Sequence, residues 1–175
     1  MKYVKCGGEV FEFKLTPFKT YCRYCKQKEA EIKPSGTSLL LCKECFLLFC
    51  EKKVKMAIEK HKMFGEKEKI GVMVSGGKDS AALLAILKKL YPQQEILAIH
   101  LNLGIKYYSD FAQIAVEKLC QKLKVPLIVY NLKEKEGFSI DDFVFTHFKN
   151  KICSVCGTIK RYYFSRIARE NKIDV

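Results

Sequence analysis

Val74-Ser75-Gly76-Gly77-Lys78-Asp79-Ser80 is the stretch on which the fold of this chain turns. It follows the apolar run Ile70-Gly71-Val72-Met73-Val74 and opens the helix-like run Ser80-Ala81-Ala82-Leu83-Leu84-Ala85-Ile86-Leu87. A buried strand, a glycine turn and a helix N-terminus therefore meet here. Two adjacent glycines let the backbone approach a ligand without Cβ atoms in the way. The first amides of a helix are unpaired and lie at the positive end of its dipole, which suits phosphate oxygens. Lys78 adds a mobile cation, and Ser75 and Ser80 add hydroxyls. Asp79 stands where it can cap the free amides or orient magnesium. The loop is not a Walker A motif, because position 72 is Val and Asp79 follows the lysine. A plain glycine turn in a βα unit is the bland alternative.

The same residues resemble the SGGxDS pyrophosphate loop of the PP-loop ATP pyrophosphatases. That resemblance implies a grip on the β- and γ-phosphates of ATP, attack at the α-phosphate and an AMP-linked intermediate.

At 175 residues the chain has room for one moderate core and a small appendage. A formal net charge of +13 points to a polyanionic partner, with RNA the natural reading, although surplus lysine can also be merely solubilising. No run of 18 apolar residues occurs, so nothing is expected to span a membrane, and Met1-Lys2-Tyr3-Val4-Lys5-Cys6 lacks the apolar core of a signal peptide. A cytoplasmic protein is expected. Nine cysteines in a nucleotide-using chain of that kind suggest metal rather than disulfides.

Cys22-Arg-Tyr-Cys25 and Cys42-Lys-Glu-Cys45 are separated by sixteen residues, within the spacing of zinc sites. Four thiolates would fill a tetrahedral zinc ion and leave no open position, so the site is read as structural. Ile32-Lys33-Pro34-Ser35-Gly36-Thr37 would turn between two short strands, as in a zinc ribbon. Disulfide or redox pairing is the alternative. Ahead of it, residues 10–15 alternate like a strand that Pro17 ends, and Cys6 has no nearby second cysteine. Residues 46–64 read as an amphipathic helix with Phe46, Phe49, Cys50, Val54, Ala57, Ile58 and His61 on one face. The expected organisation is a ribbon over 1–46, a linker helix over 47–69 and an ATP-binding domain over 70–175.

The rest alternates. Strands are expected at 70–74, 95–101 and 126–132, and helices at 80–91 and 109–124, the latter with Phe111, Ile114, Ala115, Leu119 and Leu123 inward. Lys133-Glu134-Lys135-Glu136-Gly137 reads as a solvated loop, 140–148 as a short helix, 157–171 as the last helix and 173–175 as the opening of a fourth strand. Such alternation implies an α/β fold with a doubly wound, Rossmann-like parallel sheet. Ligands in such sheets bind beyond the carboxyl ends of the strands. The strand opening at the last residues suggests a domain that is C-terminally truncated here, and activity of these residues alone is not expected.

A second constellation, Lys151-Ile152-Cys153-Ser154-Val155-Cys156-Gly157-Thr158-Ile159-Lys160-Arg161, falls after the third strand, on the side of the nucleotide loop. Two cysteines can hold part of a metal or cluster, or act as a redox dithiol. Lys160 and Arg161 are placed to touch phosphate.

With these motifs in view, residues 22–175 resemble the tRNA 2-thiolation enzymes of the TtcA and TtuA type. The resemblance rests on the paired CxxC ribbon, SGGKDS, Asn102-Leu103-Gly104-Ile105 with Tyr108-Ser109, and Cys153-Ser-Val-Cys156-Gly with Lys160-Arg161, in that order. Cys45 stands where relatives often carry His. The resemblance implies ATP with its phosphates on Val74, Ser75, Gly76, Gly77, Lys78, Asp79 and Ser80 and its adenosine near His100, Leu101, Gly104 and Ile105. It implies zinc on Cys22, Cys25, Cys42 and Cys45, Mg2+ with the nucleotide, and a [4Fe-4S] cluster on Cys153, Cys156 and a third cysteine. Cys153, Cys156, Lys160 and Asp79 would be the catalytic residues. The implied partners are tRNA, a sulfur donor (a ubiquitin-like thiocarboxylate protein or a persulfide source) and a second copy in a homodimer. A tRNA-lysidine-type PP-loop ligase would not need Cys153 and Cys156. A non-catalytic RNA-binding ribbon would not release pyrophosphate or AMP.

Overall fold

The computed structural model describes residues 2–6 and 9–13 as backbone and residues 18–175 with their side chains. It divides into two compact units, Met1–Lys53 and Val54–Val175. In the first, β1 (Lys2–Cys6) pairs antiparallel with β2 (Glu9–Phe13). Residues 14, 15 and 17 of the expected strand and its end lie outside the described residues, as does the side chain of Cys6. Between residues 18 and 42 the described chain forms no extended strands. Its knuckles are held by single antiparallel bridges, Tyr21 with Glu29 and Ile32 with Leu41, and Thr37 bonds back to Pro34 to close the turn. Helix α1 (Lys43–His61) begins inside the second CxxC, and its chain continues into the second unit. Phe46 and Phe49 pack with the cysteines in the first unit; Val54 and Ile58 join the core of the second. His61 is exposed.

The second unit is a parallel sheet in the order β3 (Ile70–Met73), β4 (Ile96–Asn102), β5 (Leu127–Asn131). Residues 174–175 run beside the free side of β3: Val175 N–H donates to Lys69 O, and Gly71 N–H donates to Val175 O at 2.7 Å. This is one rung of parallel pairing, so the chain changes direction across the sheet at β3. Alternation along the strands sorts two cores. Ile70, Val72, Val74, Ile96 and Ala98 face Leu84 and Leu87 of α2 (Lys78–Leu90) and Val116 and Cys120 of α3 (Ser109–Leu123). Ile99 and Tyr130 face Tyr163 and Ile167 of α5 (Ile152–Glu170). With helices on both faces, β4 is buried nearly end to end, as parallel strands are.

Four local expectations change. Helix α3 turns Ala112, Val116 and Cys120 inward and leaves Phe111 and Ile114 exposed. Its sequence carries apolar residues on more than one face, and the choice falls to the side that meets the glycine loop with a small residue. The charged run after β5 is a capped helical turn, α4 (Leu132–Glu136), not a loop. Asn131 Oδ1 accepts from the amides of Lys133 and Glu134, Leu132 is buried, and Gly137 closes the turn at φ +75. Residues 140–145 and 149–151 are 3-10 turns rather than one helix. Finally, α5 starts at Ile152, five residues before the expected Gly157, because Ile152, Cys156, Ile159 and Tyr163 continue one apolar face onto the sheet. No described helix is long and apolar enough to cross a membrane.

Candidate functional site

The loop after β3 is built from its own hydroxyls. Ser80 Oγ lies 3.2 Å from both the Ser75 amide and Ser75 Oγ and donates to Gly77 O at 3.1 Å. Gly77 N–H reaches Ser75 Oγ at 3.4 Å. Gly77 is the N-cap of α2 and has no side chain to satisfy the helix's first amides, which therefore remain available to an anion. Lys78 and Asp79 pair with each other at 2.9 Å in solvent, so Asp79 does not cap the helix.

The two glycines differ. Gly76 has φ +83, and a Cβ there would lie 2.9 Å from Ala112 Cβ and 3.0 Å from Ala112 Cα. It is the contact between the loop and α3. Gly77 has extended backbone, and a Cβ there would meet only Ser75 Oγ at 3.5 Å. Gly77, not Gly76, borders open space.

A cleft opens at the carboxyl ends of β3 and β4. Val74, Ser75, His100 and Leu101 line it, together with Tyr108 and Lys160. His100 is buried, and its Nδ1 donates to Val74 O at 2.7 Å. Nε2 has no hydrogen-bond partner among the described residues. Gly104 and Ile105 do not line this cleft. They border a neighbouring hollow with Asn131 and Asp141, and Gly104 is required there because a Cβ would come within 2.6 Å of Ser139 Cβ. Tyr108 and Ser109 enter the site from the first turn of α3. Their signal in the sequence was the Tyr-Ser pair after the second strand.

Lys160 reaches this cleft from α5, four residues after Cys156 and seven after Cys153. Those spacings put all three on one side of the helix, with Cys153 about 10 Å along the axis from Lys160. The cysteine pair is thus the start of a helix and not a loop. Cys153 is exposed and Cys156 half-buried; both thiols are free. Arg161 folds back over Gly157. Among the described residues no third thiol belongs to this pair: the other cysteines are the ribbon four, Cys50, and Cys120, which is buried in the core.

Helix α5 is fixed to the sheet edge by a polar clamp. Tyr130 Oη donates to Glu136, and Arg166 donates to the same carboxylate at 3.0 Å. The Tyr130 hydrogen bond and Arg166 hold the Glu136 carboxyl below its ordinary range against the opposing effect of burial. Burial, reinforced by Glu136, pushes the Tyr130 hydroxyl up to about 12.

In the first unit the sulfurs of Cys22, Cys25, Cys42 and Cys45 lie within 4.8 Å of one another. Burial would raise the Cys22 thiol, but amides at Cys42, Cys25 and Tyr24 overcome it and bring it down to about 6. Burial and the neighbouring thiols push Cys45 up to about 12. Four sulfurs this close have the donor set of a closed four-sulfur metal site.

A family model for the PP-loop domain matches residues 49–144. The chain is 37% identical over 153 residues to a tRNA-5-methyluridine(54) 2-sulfurtransferase of Pyrococcus horikoshii, covering 87% of this chain and 47% of that protein. It is 29% identical over 153 residues to cytoplasmic tRNA 2-thiolation protein 1 of Candida albicans, covering 85% and 39%. Among solved structures it resembles the U34-tRNA thiolase NcsA from Methanococcus maripaludis with its [4Fe-4S] cluster, at TM-score 0.74 and 27% identity, over 90% of this chain and 52% of that one. The chain therefore spans about half the length of the relatives it matches or less.

Proposed function

The chain belongs to the PP-loop family, and from that premise we propose that it serves ATP-dependent thiolation of tRNA at the C2 carbonyl of a pyrimidine. The observation that carries this reading is the cleft shared by Ser75 and Lys160, with Cys153 and Cys156 on the same helix as Lys160. The β- and γ-phosphates of ATP rest on the amides that open α2, between Ser75, Ser80 and the open side of Gly77, with Lys78 beside them. The adenosine lies along His100 and Leu101.

The C2 oxygen of the pyrimidine attacks the α-phosphorus, and pyrophosphate leaves with the electrons of the broken P–O bond. Charge building on the phosphates is met by the helix amides, Lys78 and Lys160. Sulfide-level sulfur, freed by hydrolysis of a thiocarboxylate C–S bond or by thiol reduction of a persulfide S–S bond, then bonds to C2, and the C2–O bond breaks to release AMP carrying the base's former oxygen. Cys153 and Cys156 would hold a [4Fe-4S] cluster together with a thiolate from outside the described residues. When bound, that cluster would supply iron chemistry for carrying the incoming sulfur. Cys22, Cys25, Cys42 and Cys45 hold one structural zinc, and Asp79 can turn from Lys78 toward Mg2+.

The sulfur donor is a ubiquitin-like thiocarboxylate protein or a persulfide source, and the site works in the cytoplasm, in a homodimer. Mass spectrometry of tRNA nucleosides from cells lacking the gene tests the reading. Loss of one 2-thiopyrimidine is expected; an unchanged set of thionucleosides overturns it.

A further inference from the structure

We propose that Tyr108 is the surface on which the pyrimidine stacks when it is brought to the α-phosphate. This rests on the thiolation reading and names the residue that would receive its substrate. The cleft holds about 80 Å³. An apolar cavity of about 150 Å³ can hold a single benzene ring. The cleft is therefore the floor of a site, and most of any nucleotide or base must lie along its rim.

Of the residues that make the cleft, His100 sits at the buried floor, while Tyr108 is 55% exposed and Lys160 half-buried. An adenosine placed along His100 and Leu101 takes the floor. A base arriving from solvent meets the tyrosine first. Such a base has to be taken out of its stack before its C2 oxygen can reach phosphorus, and extruded RNA bases are held by stacking on aromatic side chains.

The loop that carries Tyr108 is fixed in advance. Gly104 N–H donates to Asn102 Oδ1 at 3.0 Å, Ile105 N–H to the buried Ser109 Oγ at 3.0 Å, and Lys106 N–H to Asp141 Oδ2 at 2.8 Å. Beside it Tyr107, 82% exposed, is held at φ +61 with the Lys106 ammonium 4.9 Å from its ring centre. Tyr107 and Lys106 border the neighbouring hollow, and the fixed loop presents Tyr108 to the cleft itself. A ring carried on a fixed backbone loses less freedom when a base stacks on it than one on a mobile loop. The +13 net charge of the chain supplies the general attraction for RNA.

The test uses the chain as it stands with a tRNA transcript whose uridines are replaced by 5-iodouridine, which bonds on irradiation to aromatic rings stacked against it. Irradiation is done with a non-hydrolysable ATP analogue present, on the parent, Tyr108→Phe and Tyr108→Leu. The parent should crosslink at Tyr108 and Tyr108→Phe at the same position, whereas Tyr108→Leu should lose that crosslink. Affinity of Tyr108→Leu for tRNA should fall on the order of tenfold, with ATP affinity unchanged. A crosslink elsewhere, no crosslink at all, or a Leu variant that binds tRNA like the parent overturns the proposal. So does a Leu variant that loses ATP affinity instead, since the ring then stacks adenine. A crosslink at Tyr108 in a protein whose absence leaves all thionucleosides in place would uphold the base site and remove the thiolation reading; loss of the thionucleoside with a crosslink elsewhere would do the reverse.

Discussion

Gly76 and Gly77 are adjacent, yet substitutions at them should fail in opposite ways. At Gly76 an alanine Cβ meets two strains. The backbone is at φ +83, which costs a non-glycine residue about 1–2 kcal/mol. Its new atom would also fall at 2.9 Å, 3.0 Å and 3.1 Å from Ala112 Cβ, Cα and O. Two of those belong to the backbone of α3 and cannot swing aside, so overpacking adds about 1–3 kcal/mol. Gly76→Ala should therefore lose about 2–5 kcal/mol. At Gly77 the backbone is extended, at φ −82 and ψ 159, and the Cβ would make only an ordinary contact. A weaker N-cap there is offset by the lower entropy of the unfolded chain, each effect about 0.5–1 kcal/mol, so stability should hardly move. Valine at the same place, however, puts two methyls where phosphate oxygens would approach the first amides of α2. Urea unfolding and calorimetric titration with ATP separate the cases. Gly76→Ala should show an earlier midpoint, and Gly77→Val should keep the parental midpoint and lose ATP binding. Unchanged ATP affinity in Gly77→Val would refute the phosphate site, and a fully stable Gly76→Ala would refute the contact with α3.

The protein purified without chelator should contain about one zinc per chain, and Cys22→Ser should lose both that zinc and the fold of residues 18–53; elemental analysis with proteolysis of the first unit decides. Where a third thiolate completes the cluster site, Cys153→Ser and Cys156→Ser should abolish iron–sulfur absorbance and tRNA thiolation while leaving zinc and ATP binding intact, and parental thiolation in both variants would make the pair structural. The clamp on Glu136 should give a pH-dependent stability. Its carboxyl is held below the ordinary value, first by Tyr130 and also by Arg166, so its contribution is complete above about pH 4.3 and is lost as the pH falls through the lowered value. The urea midpoints of the parent and Glu136→Gln should accordingly differ at neutral pH and converge in acid; a constant difference would remove the carboxylate from the clamp.

The sequence determined by itself whatever depends on short-range order. The strand, glycine turn and helix of 70–90 follow from local periodicity and from two glycines whose conformational freedom is intrinsic. The four ribbon cysteines were legible because two CxxC pairs at that spacing can reach one point. The parallel sheet followed from the alternation of apolar strands with amphipathic helices. Tertiary structure alone decided what depends on a choice among faces. The apolar residues of α3 permit more than one inward side, and the backbone contact between Gly76 and Ala112 selects the one that leaves Phe111 exposed. The CxxC at 153–156 reads locally as a knuckle or a redox turn. It is helical because Ile152 and Cys156 extend the apolar face that α5 lays on the sheet, and that same packing carries Lys160 into the cleft with Ser75. The charged run 133–136 reads as solvent-exposed until Tyr130 and Arg166, six and thirty residues away from Glu136, converge on its carboxylate. Local pattern sets which elements form, because backbone hydrogen bonds and caps act over a few residues. Which side of each element meets which ligand is set by contacts between residues far apart in the chain, and periodicity does not encode those.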